Sequence, residues 1–301
     1  MTVSSENLLL ASDAPSSRPF YTSGSQSRRH PGDPQLSCIG EDEEQQQQQQ
    51  QQLQDHDCWW RFSDFDHVGP LSRDGSIHAT DEVFNAASHL AATFLSVLAT
   101  VLLVTESSAQ GAPWKIVSFT IYGTSLIFLF AASTLHHSIS TTPRMERLFQ
   151  MLDYLAIFPL IAGTFTPLCL VFFHNTTVGW SFCSVVWTLS LLSMYMTARW
   201  FHKVPKWLTM TMYITLGWLG AFMLFWLVPV LTWGGSLLMI LGGVLYTVGG
   251  YIYSTEQPNP VPGRFGFHEL WHIFVILAAA AHWVMMYLYV LPWQPPTSAQ
   301  P

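Results

Sequence analysis

The chain has 301 residues, half of them hydrophobic and only 10% charged. Soluble domains carry roughly a quarter charged residues, so this composition excludes an ordinary soluble enzyme and points to a membrane protein. The formal net charge of −7 is acidic, and no basic patch suggests a nucleic-acid partner.

The acidity sits at the front of the chain. Residues 1–82 hold 14 acids and 5 bases, a net of −9, and residues 83–301 hold the other 5 acids and 7 bases, a net of +2. Residues 1–75 are rich in Ser, Pro, Asp and Gln, with an acidic run from Glu41 to Glu44 that leads into glutamines Gln45 to Gln52. Such a segment cannot bury enough apolar surface to offset its chain entropy, so a disordered acidic, Gln-rich tail is expected there. No apolar stretch with a basic flank opens the chain, so no cleaved signal peptide is expected. Trp59, Trp60 and Phe62 suggest where the chain meets the membrane surface, since tryptophan favours the interface. Cys38, Cys58, Cys169 and Cys183 are scattered and form no CxxC pair, so neither a disulfide framework nor a cysteine metal site is expected.

From Val83 onward, apolar runs long enough to cross a bilayer follow one another. They are 83–105, 114–138, 151–173, 179–200, 207–228, 230–253 and 267–291. Each approaches the roughly 20 residues that a crossing needs. The fifth and sixth are separated only around Pro229, but 207–253 is too long for one crossing and about right for two. The expected fold is therefore an all-α bundle of seven transmembrane helices over 76–293, with a short tail at 294–301.

Lysine and arginine placement orients the bundle. With the N-terminus in the cytosol, the cytosolic loops carry Arg144, Arg147, Arg199, Lys203, Lys206 and Arg264, and the opposite side has Lys115. The N-terminus is expected to be cytosolic. Asn175-Thr176-Thr177 is a formal glycosylation sequon on the other side, too close to the membrane for a glycan to be expected. In span six, Gly235, Gly242 and Gly249 recur every seven residues and predict a close helix–helix seam. Gly163 and Pro167 predict a kink in span three.

Polar residues gather at one end of the spans. Glu82, Asn85 and His89 lie at the cytosolic end of span one, Ser133 and His137 at that end of span two, and Asp153 at that end of span three. His268 and His272 open span seven. Two histidines four apart share one helix face and can chelate a divalent metal, zinc above all. The alternative is a pair of packed histidines bonded to their neighbours. Ionisable groups are costly inside a membrane, so several helices delivering them to one leaflet favours a site. Three histidines plus a water form a known open zinc site. His137, His268 and His272 are the candidate ligands. Asp153 is the candidate catalytic carboxylate beside the metal, and Ser133 would hydrogen-bond in the same shell. The rival readings are a Ser133 satisfied by its own backbone and an Asp153 paired with Arg147. His136 points about 100° away from His137 around the helix and is left out. His282 lies about 15 Å past His272 along the helix and reads as a buried polar contact. His89 is either a partner of the site or packing, with packing preferred.

Several ordered motifs then carry a family resemblance. They are Ser133-Thr134-Leu135-His136-His137-Ser138; Leu152-Asp153-Tyr154 with Ile161-Ala162-Gly163-Thr164-Phe165-Thr166-Pro167; and Phe265-Gly266-Phe267-His268-Glu269-Leu270-Trp271-His272. Glu82-x-x-Asn85-x-x-x-His89 and Gly242-Gly243-x-x-Tyr246 add to them. The chain resembles the hemolysin III family, which belongs with the progestin and adipoQ receptors, over about 83–292. The resemblance implies a seven-helix fold, a cytosolic N-terminus and a zinc ion on His137, His268 and His272, with the family's aspartate at Asp153 and its serine at Ser133. His136 stands where the family usually has an aromatic residue. Related alkaline ceramidases imply hydrolysis of a lipid amide drawn from membrane lipids. A receptor or regulatory protein with structural zinc is the second reading. The third is an intramembrane metalloprotease, because His268-Glu269-x-x-His272 fits HExxH with Glu269 as the base.

Overall fold

The computed structural model describes residues 73, 76, 80–201, 203–262 and 264–295. The tail expected over 1–75, with Trp59, Trp60, Phe62, Cys38 and Cys58, lies outside the described residues except for Arg73. The last six residues, 296–301, lie outside them too.

The elements in chain order are α1 (Glu82–Ala109), α2 (Pro113–Ser138), α3 (Pro143–Phe173), α4 (Thr177–Arg199), α5 (Lys206–Trp218), α6 (Gly220–Thr255) and α7 (Phe267–Met285). A π-helical turn, Met286–Val290, continues α7. Local chemistry sets the starts. The Asp81 side chain accepts from Phe84 N and caps α1. Pro113 and Pro143 open α2 and α3, where a missing N–H costs nothing. Thr176 of the sequon caps α4 by accepting from Gly179 N.

Among the described residues, six stretches are long and apolar enough to cross a membrane: α1, α2, α3, α4, Lys206–Thr255, and Phe267–Val290. The chain is a multi-pass integral membrane protein. Its outer surface agrees, because Phe94, Leu95, Leu192, Phe222, Phe225 and Trp233 are all exposed. Hydrocarbon, not water, suits such a surface. Many serine and threonine hydroxyls inside the helices return to their own backbone, as Ser96, Thr134 and Thr166 do to the carbonyls four residues earlier. That leaves few polar groups facing lipid.

Three boundaries differ from expectation; one is the end of α5, which stops at Trp218, with α6 starting at Gly220, instead of dividing around Pro229. α3 begins at Pro143 rather than near 151, adding about two polar turns before the apolar run. The break expected around Pro229 falls at Thr232, which has φ 62 and ψ 171. The chain stays helical through Pro229, and the non-helical residue stands three positions after it. The stretch Lys206–Thr255 holds 50 residues, about 75 Å of helix if straight, more than twice the hydrocarbon thickness of a bilayer.

α3 is the most buried of the candidate spans and lies against α2, α4 and, more lightly, α5 and α6. α1 packs on α2 and also reaches α7, while α6 and α7 pack closely along their lengths. The glycine seam lies in this last interface. A Cβ at Gly249 would stand 2.8 Å from Phe274 Cβ, and one at Gly242 would enter the His282 ring. His282 itself meets Met239 O at 3.2 Å, the buried polar contact expected of it.

Candidate metal centre

One end of the bundle gathers the starts of α1, α3 and α7 and the end of α2. Here the histidines converge. His268 Nε2 lies 3.4 Å from His137 Nε2 and 3.1 Å from His272 Nε2. All three residues are buried, and their ligand atoms lie within 4.8 Å of one another. Nitrogens bound at 2.0–2.1 Å to one tetrahedral zinc stand about 3.3 Å apart. The imidazole spacing therefore suits a zinc-sized ion. The donor set of three neutral nitrogens suits one as well.

Asp153, half-buried on α3, comes to the same place. One of its carboxylate oxygens forms a group within 4.8 Å with ring nitrogens of His136 and His137. The buried Ser133 lines the same cavity wall as Asp153. Thus α2 presents Ser133 and His136 towards α3, and His137 towards α1 and α7. By helical geometry alone His136 points away from His137. The structure draws it into the cluster from the other side, because a third helix waits there.

His89 lies on α1 with its ring stacked on that of His272, centroids 3.8 Å apart and planes at 22°. This is packing of the expected kind, but directly on a candidate ligand. The residue that sequence reasoning left without a role is Glu82. Its Oε2 lies 2.6 Å from His137 Nδ1. The only signal for it was its membership of the Glu82–Asn85–His89 pattern.

Glu269 behaves differently. Although fully buried between the two α7 histidines in sequence, its carboxylate is turned to the start of the helix. Oε2 accepts from Gly266 N at 2.8 Å, the glutamate half of a capping box. Oε1 accepts from Asp81 N and, at 3.3 Å, from Asn85 Nδ2.

A cavity opens from this cluster into the bundle. His89, Ser133, His136, Asp153 and His268 line its near end. Its wall then follows α3 to Leu168 and α7 to Met285 through mainly apolar side chains, with Met210, Tyr213 and Trp218 of α5 on another side. From Asp153 to Leu168 is about 22 Å along the helix. The cavity reaches an exposed flank where Trp218 Nε1 donates to Thr247 Oγ1 at 2.9 Å.

These features define a multi-pass helical membrane protein with a buried histidine cluster, able to hold a metal ion, at one end of an apolar cavity. The haemolysin-III related family matches residues 77–283, and the chain belongs to that family. It is 35% identical over 212 residues to Hemolysin-3 of Bacillus cereus, covering 70% of this chain and 93% of that protein. It is 34% identical over 209 residues to the Hemolysin-3 homolog of Bacillus subtilis (strain 168), covering 69% and 94%. Heptahelical transmembrane protein 4 of Arabidopsis thaliana is 28% identical over 197 residues, 58% of this chain and 49% of that protein.

Proposed function

We propose that this chain is a seven-span, zinc-dependent hydrolase of lipid amides of the ceramide type, with His137, His268 and His272 as ligands. One observation carries the reading. Three imidazoles converge beside the end of an apolar cavity, whose wall there includes one of them, His268, together with Asp153 and Ser133. A purely structural ion has no need of a cavity or of a carboxylate beside it.

Seven crossings follow if Lys206–Thr255 is two spans that turn near Thr232. The heptahelical name of the Arabidopsis relative supports that count. Arg144 and Arg147 follow two crossings and Lys203 and Lys206 follow four, so with these cations on the inner side the N-terminus is cytosolic, and seven crossings leave the C-terminus opposite.

When bound, zinc supplies Lewis acidity, polarising a carbonyl oxygen and bringing water's pKa towards neutrality. The chain's own residues do the rest. Asp153 takes the proton from the attacking water as the oxygen bonds to the amide carbon. It returns that proton to the nitrogen as the C–N bond breaks. Ser133 holds the Asp153 carboxylate in place. Ile157, Ile161, Phe165 and Leu168 receive an acyl chain and keep bulk water out. The lipid enters sideways from the bilayer past Trp218 and Thr247. Glu269, held by Asp81, Asn85 and Gly266, serves as a cap rather than as the base of a metalloprotease.

Metal analysis of purified protein beside His137→Ala and His272→Ala, followed by a hydrolysis screen with ceramide-like amides, tests the proposal. Zinc in the wild type, its loss from both variants and cleavage of an amide are expected. Wild type that holds no metal, or holds it with a closed tetrahedral cobalt spectrum and cleaves nothing, would overturn the hydrolase reading.

A further inference from the structure

The first helix contributes no candidate ligand, yet one of its stripes touches two of them, His137 and His272. Glu82, Asn85 and His89 stand at i, i+3 and i+7, on one face of α1. Glu82 meets His137 of α2, Asn85 meets Glu269 of α7, and His89 stacks on His272 of α7. α1 thus ties the two helices that bring the imidazoles together.

The Glu82 contact is the most specific of the three. Both of its oxygens are used. Oε2 faces His137 Nδ1 at 2.6 Å. Oε1 accepts from Arg73 N at 3.1 Å and from Thr80 Oγ1 at 2.9 Å. Two donors from the strand of chain before α1 therefore fix the carboxylate before it reaches the histidine. Arg73 is itself anchored. Its Nη1 donates to the carbonyls of His136 at 2.6 Å and Ile139 at 2.9 Å, at the end of α2. The brace and the helix it supports are thus joined twice.

We propose that Glu82 is a positioning residue for His137, fixing its ring so that Nε2 presents a lone pair to the metal. A carboxylate that accepts from Nδ1–H leaves the proton on that nitrogen and the other one free to coordinate. Nε2 is the atom found 3.4 Å from His268 Nε2. Removing a partner that holds a ligating imidazole from behind lowers metal affinity 10–100-fold in other sites. The inference rests on the metal-centre reading of the cluster.

The test uses the full-length protein in detergent and reads zinc affinity by chelator competition, the spectrum of cobalt-substituted protein, and melting of the metal-free form. Glu82→Ala should bind zinc about 10–100-fold more weakly than wild type and shift the cobalt spectrum. Glu82→Gln should fall between them, because its amide oxygen still accepts from Nδ1–H. If Glu82→Ala does not fold, Glu82→Gln decides by the same two readouts. His137→Ala separates the two ideas. If it binds zinc as the wild type does, the metal centre is wrongly placed and the brace falls with it. If it loses zinc while both Glu82 variants bind normally, the positioning role alone is overturned. Lower melting of the metal-free variants with unchanged affinity would likewise reduce the contact to an ordinary ion pair and overturn it.

Discussion

Replacing Glu269 with glutamine separates two chemistries that share one sequence motif. The substitution keeps the side chain's shape. Its oxygen is best placed at Oε1, where Asp81 N and Asn85 Nδ2 both donate. The new amide nitrogen then faces Gly266 N, a donor against a donor in a buried place. One hydrogen bond to a carboxylate is lost, worth about 1.5–3 kcal/mol, and the Gly266 N–H goes unsatisfied. We expect a net loss of about 2–3 kcal/mol in stability. At temperatures where the variant stays folded, amide turnover and zinc content should remain within a few-fold of wild type. A metalloprotease base would behave the other way, with turnover falling roughly 10²–10⁴-fold and little change in melting. The assay pairs a detergent melt with zinc analysis and turnover on one preparation. Loss of turnover beyond about 100-fold in a folded, zinc-loaded variant would refute the capping argument.

Asp153→Asn should retain zinc and lose turnover by roughly 10²–10⁴-fold, or about 2.7–5.5 kcal/mol in the barrier; single-turnover kinetics with metal analysis checks this. Gly242→Ala places a methyl group in the His282 ring. It should destabilise the α6–α7 seam by about 1–3 kcal/mol, read by detergent unfolding, and leave zinc affinity unchanged. Lys115 is buried, and its Nζ donates at 2.6 Å to Gln110 Oε1 and to the carbonyls of Leu291 and Trp293. Lys115→Met keeps the apolar stem but orphans those carbonyls. It should cost about 2–4 kcal/mol and speed hydrogen exchange over residues 286–293.

Much of this architecture is legible in the sequence because the bilayer imposes a simple length rule on apolar runs. The three histidines are legible because imidazoles are rare in such runs. Details that depend on a third body are not. The 100° offset between His136 and His137 separates them on α2, but it cannot tell that α3 will bring Asp153 to the outer one. The partnership of Glu82 with His137 spans 55 residues, far beyond any helical period. Arg144, Glu146 and Gln150 hide the first turns of α3 from an apolar count, although Pro143 marks the true start. The direction change at Thr232 carries neither glycine nor proline at the position itself. Pro229 signals it only by proximity.

The polar stripe of the first helix also sets an order of assembly. Asn85 and Asp81 find their acceptor on Glu269, 184 and 188 residues further along. At about 5–20 residues per second, a ribosome needs some 10–40 seconds to supply it. During that interval the Asn85 amide and the Asp81 N–H lack the acceptor they have in the folded protein. Any early release into lipid would carry the cost of those bare groups. Completion of the last span is therefore the event that pairs these donors of the first.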